Sequence, residues 1–310
     1  MNNQSFMARS FRFATGFLMS VAAVVCHGES IRSYHVGNSL TEDAVVGAFP
    51  EFADQRGFSH ETGWHIYRGK SLPFIVANPR PSKQGGYSSK HGFWDQALKN
   101  ERWDVVTLQI YPSDGSTLAS DVAAVEQLIA TTRQNQANRD TRFIIYGPWD
   151  ITGEKYSQRW EEVAELNDES PTDRRRQYFD EVWRRVQAAV PDADISLLMT
   201  GELLFSADQH IKQAAESGGS WLGFASLKDL YRDQVHLNGQ QGRWLASLAM
   251  WAAVTGKDPS GLKRPADHFK ASGSNPLDED AALRDGLSRF VSESMGDIYL
   301  RSPAVDGSKS

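Results

Sequence analysis

Three side chains in this 310-residue sequence have the types and settings that acyl-transfer chemistry requires. Ser39 stands in Tyr34-His35-Val36-Gly37-Asn38-Ser39-Leu40-Thr41, directly after an apolar strand and before a helix. A serine there lies at the C-terminal edge of a parallel sheet, where α/β folds bind ligands. Gly37 permits a tight turn, and the helix N-terminus behind it offers unpaired backbone N–H groups to a developing oxyanion. Taken alone, the segment is equally an ordinary strand–turn–helix with a capping serine. The second segment is Tyr231-Arg232-Asp233-Gln234-Val235-His236-Leu237-Asn238-Gly239, with an acid three residues before a histidine. A serine hydroxyl needs an imidazole to take its proton. The imidazole in turn needs a carboxylate that fixes its tautomer and stabilises the imidazolium. Asp233 and His236 supply both, provided the fold returns their loop to Ser39. On its own, D-x-x-H also occurs at helix caps.

Positioning such a constellation is the task of alternating strands and helices. Ile31–Val36 reads as a strand, and a helical stretch from Glu42 to about Gln55 follows, bent or broken at Pro50. Thr62–Tyr67 is extended, and Asp104–Ile110 is a short apolar run of the buried-strand type. Helical periodicity covers Asp121–Gln134, a strand Phe143–Tyr146, and a charged amphipathic helix Thr172–Ala189. Ile195–Met199 is the next strand, Gly239–Val254 a strongly apolar helix, and Asp280–Leu300 a closing helix. Gly153–Ser170 is polar and reads as an insertion or lid. This alternation predicts an α/β fold, a three-layer α/β/α sandwich around a parallel sheet of about five strands. A hydrophobic fraction of 40% suffices for one sizeable core, so one domain over 29–310 is the simplest organisation.

The two chemical segments together resemble the SGNH (GDSL-like) hydrolases. That family opens on G-[DN]-S-[LY] and closes on D-x-x-H, here Gly37-Asn38-Ser39-Leu40 and Asp233-Gln234-Val235-His236. The likeness runs from about Ile31 to Gly256 and is strongest in the stretch that begins with Asp233 and leads into an apolar helix. It implies a flavodoxin-like sandwich and a serine esterase with Ser39 as nucleophile and Asp233 and His236 completing the triad. The family's second block places a glycine N–H in the oxyanion hole, a role that would fall to Gly69 beside the Ser39 N–H. Its third block, usually G-x-N-D, departs here to Leu108-Gln109-Ile110-Tyr111-Pro112-Ser113-Asp114. A gapless overlay puts Ser113 at the asparagine position, whereas Gln109 carries the amide N–H that the chemistry needs and is preferred. The nucleophile-elbow pattern G-x-S-x-G is absent, which counts against the α/β-hydrolase family.

The remaining signals bound partners and compartment. Trp64, Trp94, Trp149 and Trp160 are candidate sugar-stacking platforms, and Trp149, just past a strand, is the one expected at the site edge as a substrate-binding residue. His60, His65, His91 and His210 lack ligand spacing and no H-E-x-x-H occurs, so neither metal nor cofactor is expected. A net charge of −6, with no basic run longer than Arg174-Arg175-Arg176, argues against nucleic acid. Arg9 and Arg12, the apolar stretch Phe13–Val25 and Cys26-His27-Gly28 read as a secretory signal peptide over 1–28. A retained anchor, a lipid-modified Cys26 or a buried helix are the alternatives. Export without stable membrane insertion is therefore expected. Cys26, the single cysteine, falls within that segment, and its loss would leave no thiols. The expected substrate is a small ester or an acylated glycan. A lipase-like esterase, a non-catalytic glycan-binding module and acyl transfer are alternatives.

Overall fold

A computed structural model describes residues 29–80, 86–265, 267–269, 277 and 280–301. The expected signal peptide, 1–28, lies outside the described residues. The central sheet has seven strands: β1 Ser30–Gly37, β2 Ser59–Tyr67, β3 Gly86–Ser88, β4 Val105–Gln109, β5 Arg142–Gly147, β6 Ile195–Met199 and β7 Tyr299–Arg301. Their order is β3-β2-β1-β4-β5-β6-β7. The five inner strands are mutually parallel, whereas β3 and β7 pair antiparallel at the two edges. The count of about five thus holds for the parallel part. The two short edge strands add the rest, covering backbone groups that an open edge would expose.

Strands β4 (VVTLQ) and β6 (ISLLM) are buried at every position, which is why they read as continuous apolar runs: helices cover both faces. Helices α3 Leu72–Ala77, α4 Trp94–Asn100, α5 Leu118–Arg133 and α7 Arg176–Ala189 form one layer. Helices α2 Phe49–Asp54, α8 Thr200–Glu216, α9 Gln241–Thr255 and α10 Ala281–Ile298 form the other. Helix α9 is apolar all round because the sheet, α2 and α10 enclose it. The rings of its Trp244 and Trp251 meet Phe52 edge-on.

Three local expectations change. The segment after β1 is broken earlier than Pro50: α1, Ser39–Asp43, ends at Ala44, and Val45 takes φ 46°. Pro50 instead occupies the first turn of α2, where its missing N–H costs no helical bond. The polar stretch 153–170 holds a short helix, α6 Tyr156–Trp160, whose Tyr156 and Trp160 are fully buried. Helix α8 carries no sequence signal at its start, because it follows β6 directly with no side-chain cap. No helix among the described residues is long and apolar enough to cross a membrane.

The chain leaves β1 toward β2 on one side and later returns to β4 on the other. The C-terminal ends of β1 and β4 therefore flank the crevice at which this topology binds ligands. Ser39 follows the first of these strands and Gln109 ends the second.

Candidate active site

The turn bearing Ser39 is built by Asn38, which is 1% exposed and caps α1 by accepting the Leu40 N–H. The Asn38 amide donates to the Lys70 carbonyl at 3.0 Å, which ties the turn to the Gly69-Lys70 loop. Beneath the turn lies Gln109. Its Oε1 accepts from the backbone N–H of Asn38 (3.0 Å), the N–H of Thr41 (2.9 Å) and the Thr41 hydroxyl (2.6 Å). Its Nε2 donates to Asn38 Oδ1 at 2.7 Å. Gly37 permits this clamp: a methyl on it would lie 2.6 Å from Gln109 Oε1 and closer still to the Thr41 hydroxyl.

Across the crevice, the loop after the short 3-10 turn Leu227–Leu230 presents Asp233 and His236. Asp233 Oδ1 accepts the backbone N–H groups of Val235 (2.8 Å) and His236 (2.7 Å), and Oδ2 lies 2.9 Å from His236 Nδ1. Partial burial pushes the Asp233 carboxyl up. The two backbone donors and the His236 ring outweigh it and bring the pKa down to about 2. An ionised carboxylate only accepts, so Nδ1 carries the imidazole proton and Nε2 presents its lone pair. That lone pair faces Ser39: the hydroxyl donates to Nε2 at 2.9 Å. Ser39, His236 and Asp233, up to 197 positions apart in the chain, thus form one continuous hydrogen-bonded line.

The histidine loop is fastened at four points. Trp149 Nε1 donates to the Val235 carbonyl at 2.6 Å, and the Thr152 N–H donates to that of Gln234 at 2.9 Å. The Tyr231 hydroxyl donates to the Asp150 carbonyl at 3.1 Å. The Leu237 N–H donates to Asp43 Oδ2 at 3.0 Å. Asp43, on α1, was not singled out in the sequence. Its side chain is 2% exposed, with Arg243 Nε at 3.4 Å and an Arg232 nitrogen at 3.7 Å. Burial raises its carboxyl to about 6, against the opposing pull of Arg243, Arg232, His236 and the Leu237 N–H. Its only signal in the sequence is its place one turn beyond Ser39.

Two expected site residues stand elsewhere than anticipated. Gln109 does not present its amide N–H to the crevice. One N–H of its amide donates to Asn38 Oδ1, the three donors around Oε1 fix the amide's orientation, and the residue is 1% exposed. Trp149 is fully buried and presents no face for stacking; it braces the histidine loop from below. Trp94 and Trp160 are likewise buried. Gly69 sits in a turn with φ 70°, between the Ser39 turn and the loop after β4. The Ser113 hydroxyl of that loop donates to the Gly69 carbonyl at 2.8 Å. Among the described residues, no group of three or more His, Cys, Asp or Glu is arranged to hold a metal ion.

Beside α1 opens a cavity of about 300 Å³ whose walls include Glu42, Trp64, Tyr87 and Arg243. A second, of about 580 Å³, adjoins it further along β2 and shares Gly47 and Trp64 with the first.

No family model and no curated protein matches the sequence. Among solved structures, the chain is similar to a DUF4886 family protein from Bacteroides uniformis ATCC 8492. The TM-score is 0.56 at 16% identity, covering 86% of this chain and 95% of that one. At that identity the likeness is one of fold. A gut microbial diltiazem-metabolizing enzyme aligns with TM-score 0.34 at 10% identity, over 72% of this chain and 46% of that one. A proposed arylesterase from Agrobacterium tumefaciens str. C58 aligns with TM-score 0.38 at 12% identity, over 86% of this chain and 99% of that one.

Proposed function

We propose that this chain is a serine ester hydrolase of the SGNH type, exported by way of residues 1–28 and acting on small acyl esters, acetyl above all, of a carbohydrate. The observation that carries this reading is the unbroken line from the Ser39 hydroxyl through His236 to Asp233, with both links at 2.9 Å. An imidazole so placed, with its second nitrogen held by an ionised acid, is a general base for the serine proton. The blocks that resemble the family's first and last motifs provide these three residues.

In the proposed cycle His236 Nε2 takes the Ser39 proton as Oγ attacks the ester carbonyl carbon, giving a tetrahedral oxyanion. The backbone N–H groups of Ser39 and Gly69 receive that charge. Gln109 is given no part in this, since it is 1% exposed and its amide is tied to Asn38 and Thr41 beneath the turn. The C–O bond to the alcohol breaks, and the alcohol leaves with the proton from His236. Water then gives a proton to His236, attacks the acyl-serine, and releases the carboxylic acid as Ser39 regains its proton. Asp233 stays ionised throughout and stabilises the imidazolium. The adjoining cavity sets Glu42, Tyr87 and Arg243 beside apolar Val45, Val46, Trp64 and Ile66, a mixed lining that suits the two faces of a sugar ring.

The test is hydrolysis of 4-nitrophenyl acetate, butyrate, octanoate and palmitate by the mature chain and by Ser39→Ala. Acetate should turn over fastest, with rates falling along the series. Loss of the nucleophile should lower kcat on the order of 10⁶-fold. Palmitate as the best substrate would displace the reading toward lipids, and undiminished turnover by Ser39→Ala would end it.

A further inference from the structure

The two cavities beside α1 form one groove. Both are lined by Gly47 and Trp64, and together they extend along β2 from Ile66, paired with Tyr87 of β3, back to His60. Six residue steps along the strand lead from His60 to Ile66, a span of about 20 Å. The near end touches Glu42, one helical turn after Ser39.

The groove's chemistry is that of a neutral polyhydroxyl ligand. Trp64 is half-buried and offers an aromatic surface in the middle of the path. An aromatic face is electron-rich and attracts the weakly positive C–H groups on one side of a pyranose ring. Beyond it, His60 and Thr62 line the larger cavity, and they are only 6% and 8% exposed. The Ser33 hydroxyl, 2.8 Å away, occupies His60 Nε2, while His60 Nδ1 and Thr62 Oγ1 have no hydrogen-bond partner among the described residues. The charges along the groove are paired. Lys90 meets Glu61 at 2.9 Å, Arg68 holds Glu42 through two bonds of 2.7 Å, and His268 meets Glu51 at 2.9 Å. Burial lowers the His60 pKa to about 4, so that ring is neutral at physiological pH. Nothing here selects an anion.

We propose that this groove binds an extended neutral oligosaccharide, one sugar stacked on Trp64 and the next lying over His60 and Thr62 beside Ser89 and Lys90, so that an acyl ester on the chain is delivered to Ser39. The inference rests on the ester-hydrolase reading for the ester's place, whereas the binding is measured without turnover. Gly47 supplies a second handle. A methyl on Gly47 would lie 3.5 Å from the His268 ring and 3.8 Å from the Trp64 ring, ordinary contacts, so alanine fits and leucine fills the groove.

The experiment is calorimetric titration of Ser39→Ala with unacetylated xylohexaose, cellohexaose and mannohexaose, beside Ser39→Ala carrying Trp64→Ala, Gly47→Ala or Gly47→Leu. At least one hexasaccharide should bind Ser39→Ala. Trp64→Ala and Gly47→Leu should each raise that Kd roughly tenfold or more, while Gly47→Ala leaves it within about twofold. Absence of binding by all three sugars at millimolar concentration overturns the inference. So does equal binding by the Trp64→Ala and Gly47→Leu variants. Hydrolysis of 4-nitrophenyl acetate by the unsubstituted chain separates the two claims. Turnover without sugar binding removes the groove and keeps the hydrolase, and groove-dependent binding without turnover keeps the groove and removes the hydrolase.

Discussion

Replacing Gln109 by methionine separates two roles for that residue. Methionine keeps nearly the same length and volume but removes both ends of the amide. The Asn38 and Thr41 N–H groups, now 3.0 and 2.9 Å from Gln109 Oε1, would lose their acceptor in a buried place. Asn38 Oδ1 would keep the Leu40 N–H, and the Thr41 hydroxyl is free to rotate toward a helical carbonyl. Two orphaned donors at about 1–3 kcal/mol each give a loss of roughly 4 kcal/mol. For a chain of this size each kcal/mol shifts Tm by about 2 °C, so the midpoint should fall by about 8 °C. Were Gln109 instead a donor to the oxyanion, its loss would cost about 10²–10³ in kcat and leave Tm where it was. Thermal unfolding followed by circular dichroism, with 4-nitrophenyl acetate kinetics well below the transition, reads both quantities. An unchanged Tm with a hundredfold fall in kcat would refute the scaffold role derived above.

Three further perturbations probe the elements around Ser39, His236 and Asp233. Asp233→Asn should lower kcat by about 10²–10⁴ through loss of the imidazole's tautomer and counter-charge. Because Asp233 titrates near 2, the acid limb of kcat/KM in the unsubstituted chain should show unit slope, and a slope of two would contradict that assignment. Asp43, raised from 3.8 to about 6, binds its proton more tightly in the folded state. Its stabilising contribution is therefore complete below about pH 4 and lost as pH climbs through about 6, a fall of about 3 kcal/mol. Asp43→Asn, which keeps an acceptor for the Leu237 N–H, should flatten that part of the stability profile, and parallel profiles for the two proteins would exclude Asp43 as its source. Trp149→Phe removes the bond to the Val235 carbonyl while keeping a ring, and should lower kcat by the same factor on a nitrophenyl ester and on an acetylated glycan. An effect confined to KM for the glycan would restore Trp149 to substrate contact.

The parallel core was legible because β4 and β6 carry nearly continuous apolar runs, and β1 leads into the turn at Gly37. The same order of elements placed Ser39 at the edge of the sheet, whereas the Asp233–His236 loop was joined to it through the family resemblance. Less visible was which way a side chain faces at a strand end. Gln109, the last residue of β4, lies under the Asn38 turn through bonds to residues about 70 positions away. Trp149 looked exposed because it follows β5, but the loop that buries it arrives 86 positions later. Asp43 reads as one more acid on a short helix until α9 brings Arg243 against it. In each case burial is imposed by a segment remote in sequence, and local periodicity holds no record of it. Helix α8 was missed for a different reason: it follows Met199 with no turn and no side-chain cap, so no start signal marks it.

The distances along the chain between the partners in this site also set when it can come into being. The Ser39 turn is held by Gln109 at a separation of 71 residues, and the Ser39 hydroxyl meets His236 at a separation of 197. Such long closures are entropically late, because the intervening segments must already be placed before the bonds that close them gain anything. During synthesis from the N-terminus, β1 and its turn emerge long before the strand that clamps them and longer still before the histidine. The site is thus incomplete through most of the chain's own assembly, and the proposed ester hydrolysis should return after denaturation only with the whole sheet, never before it.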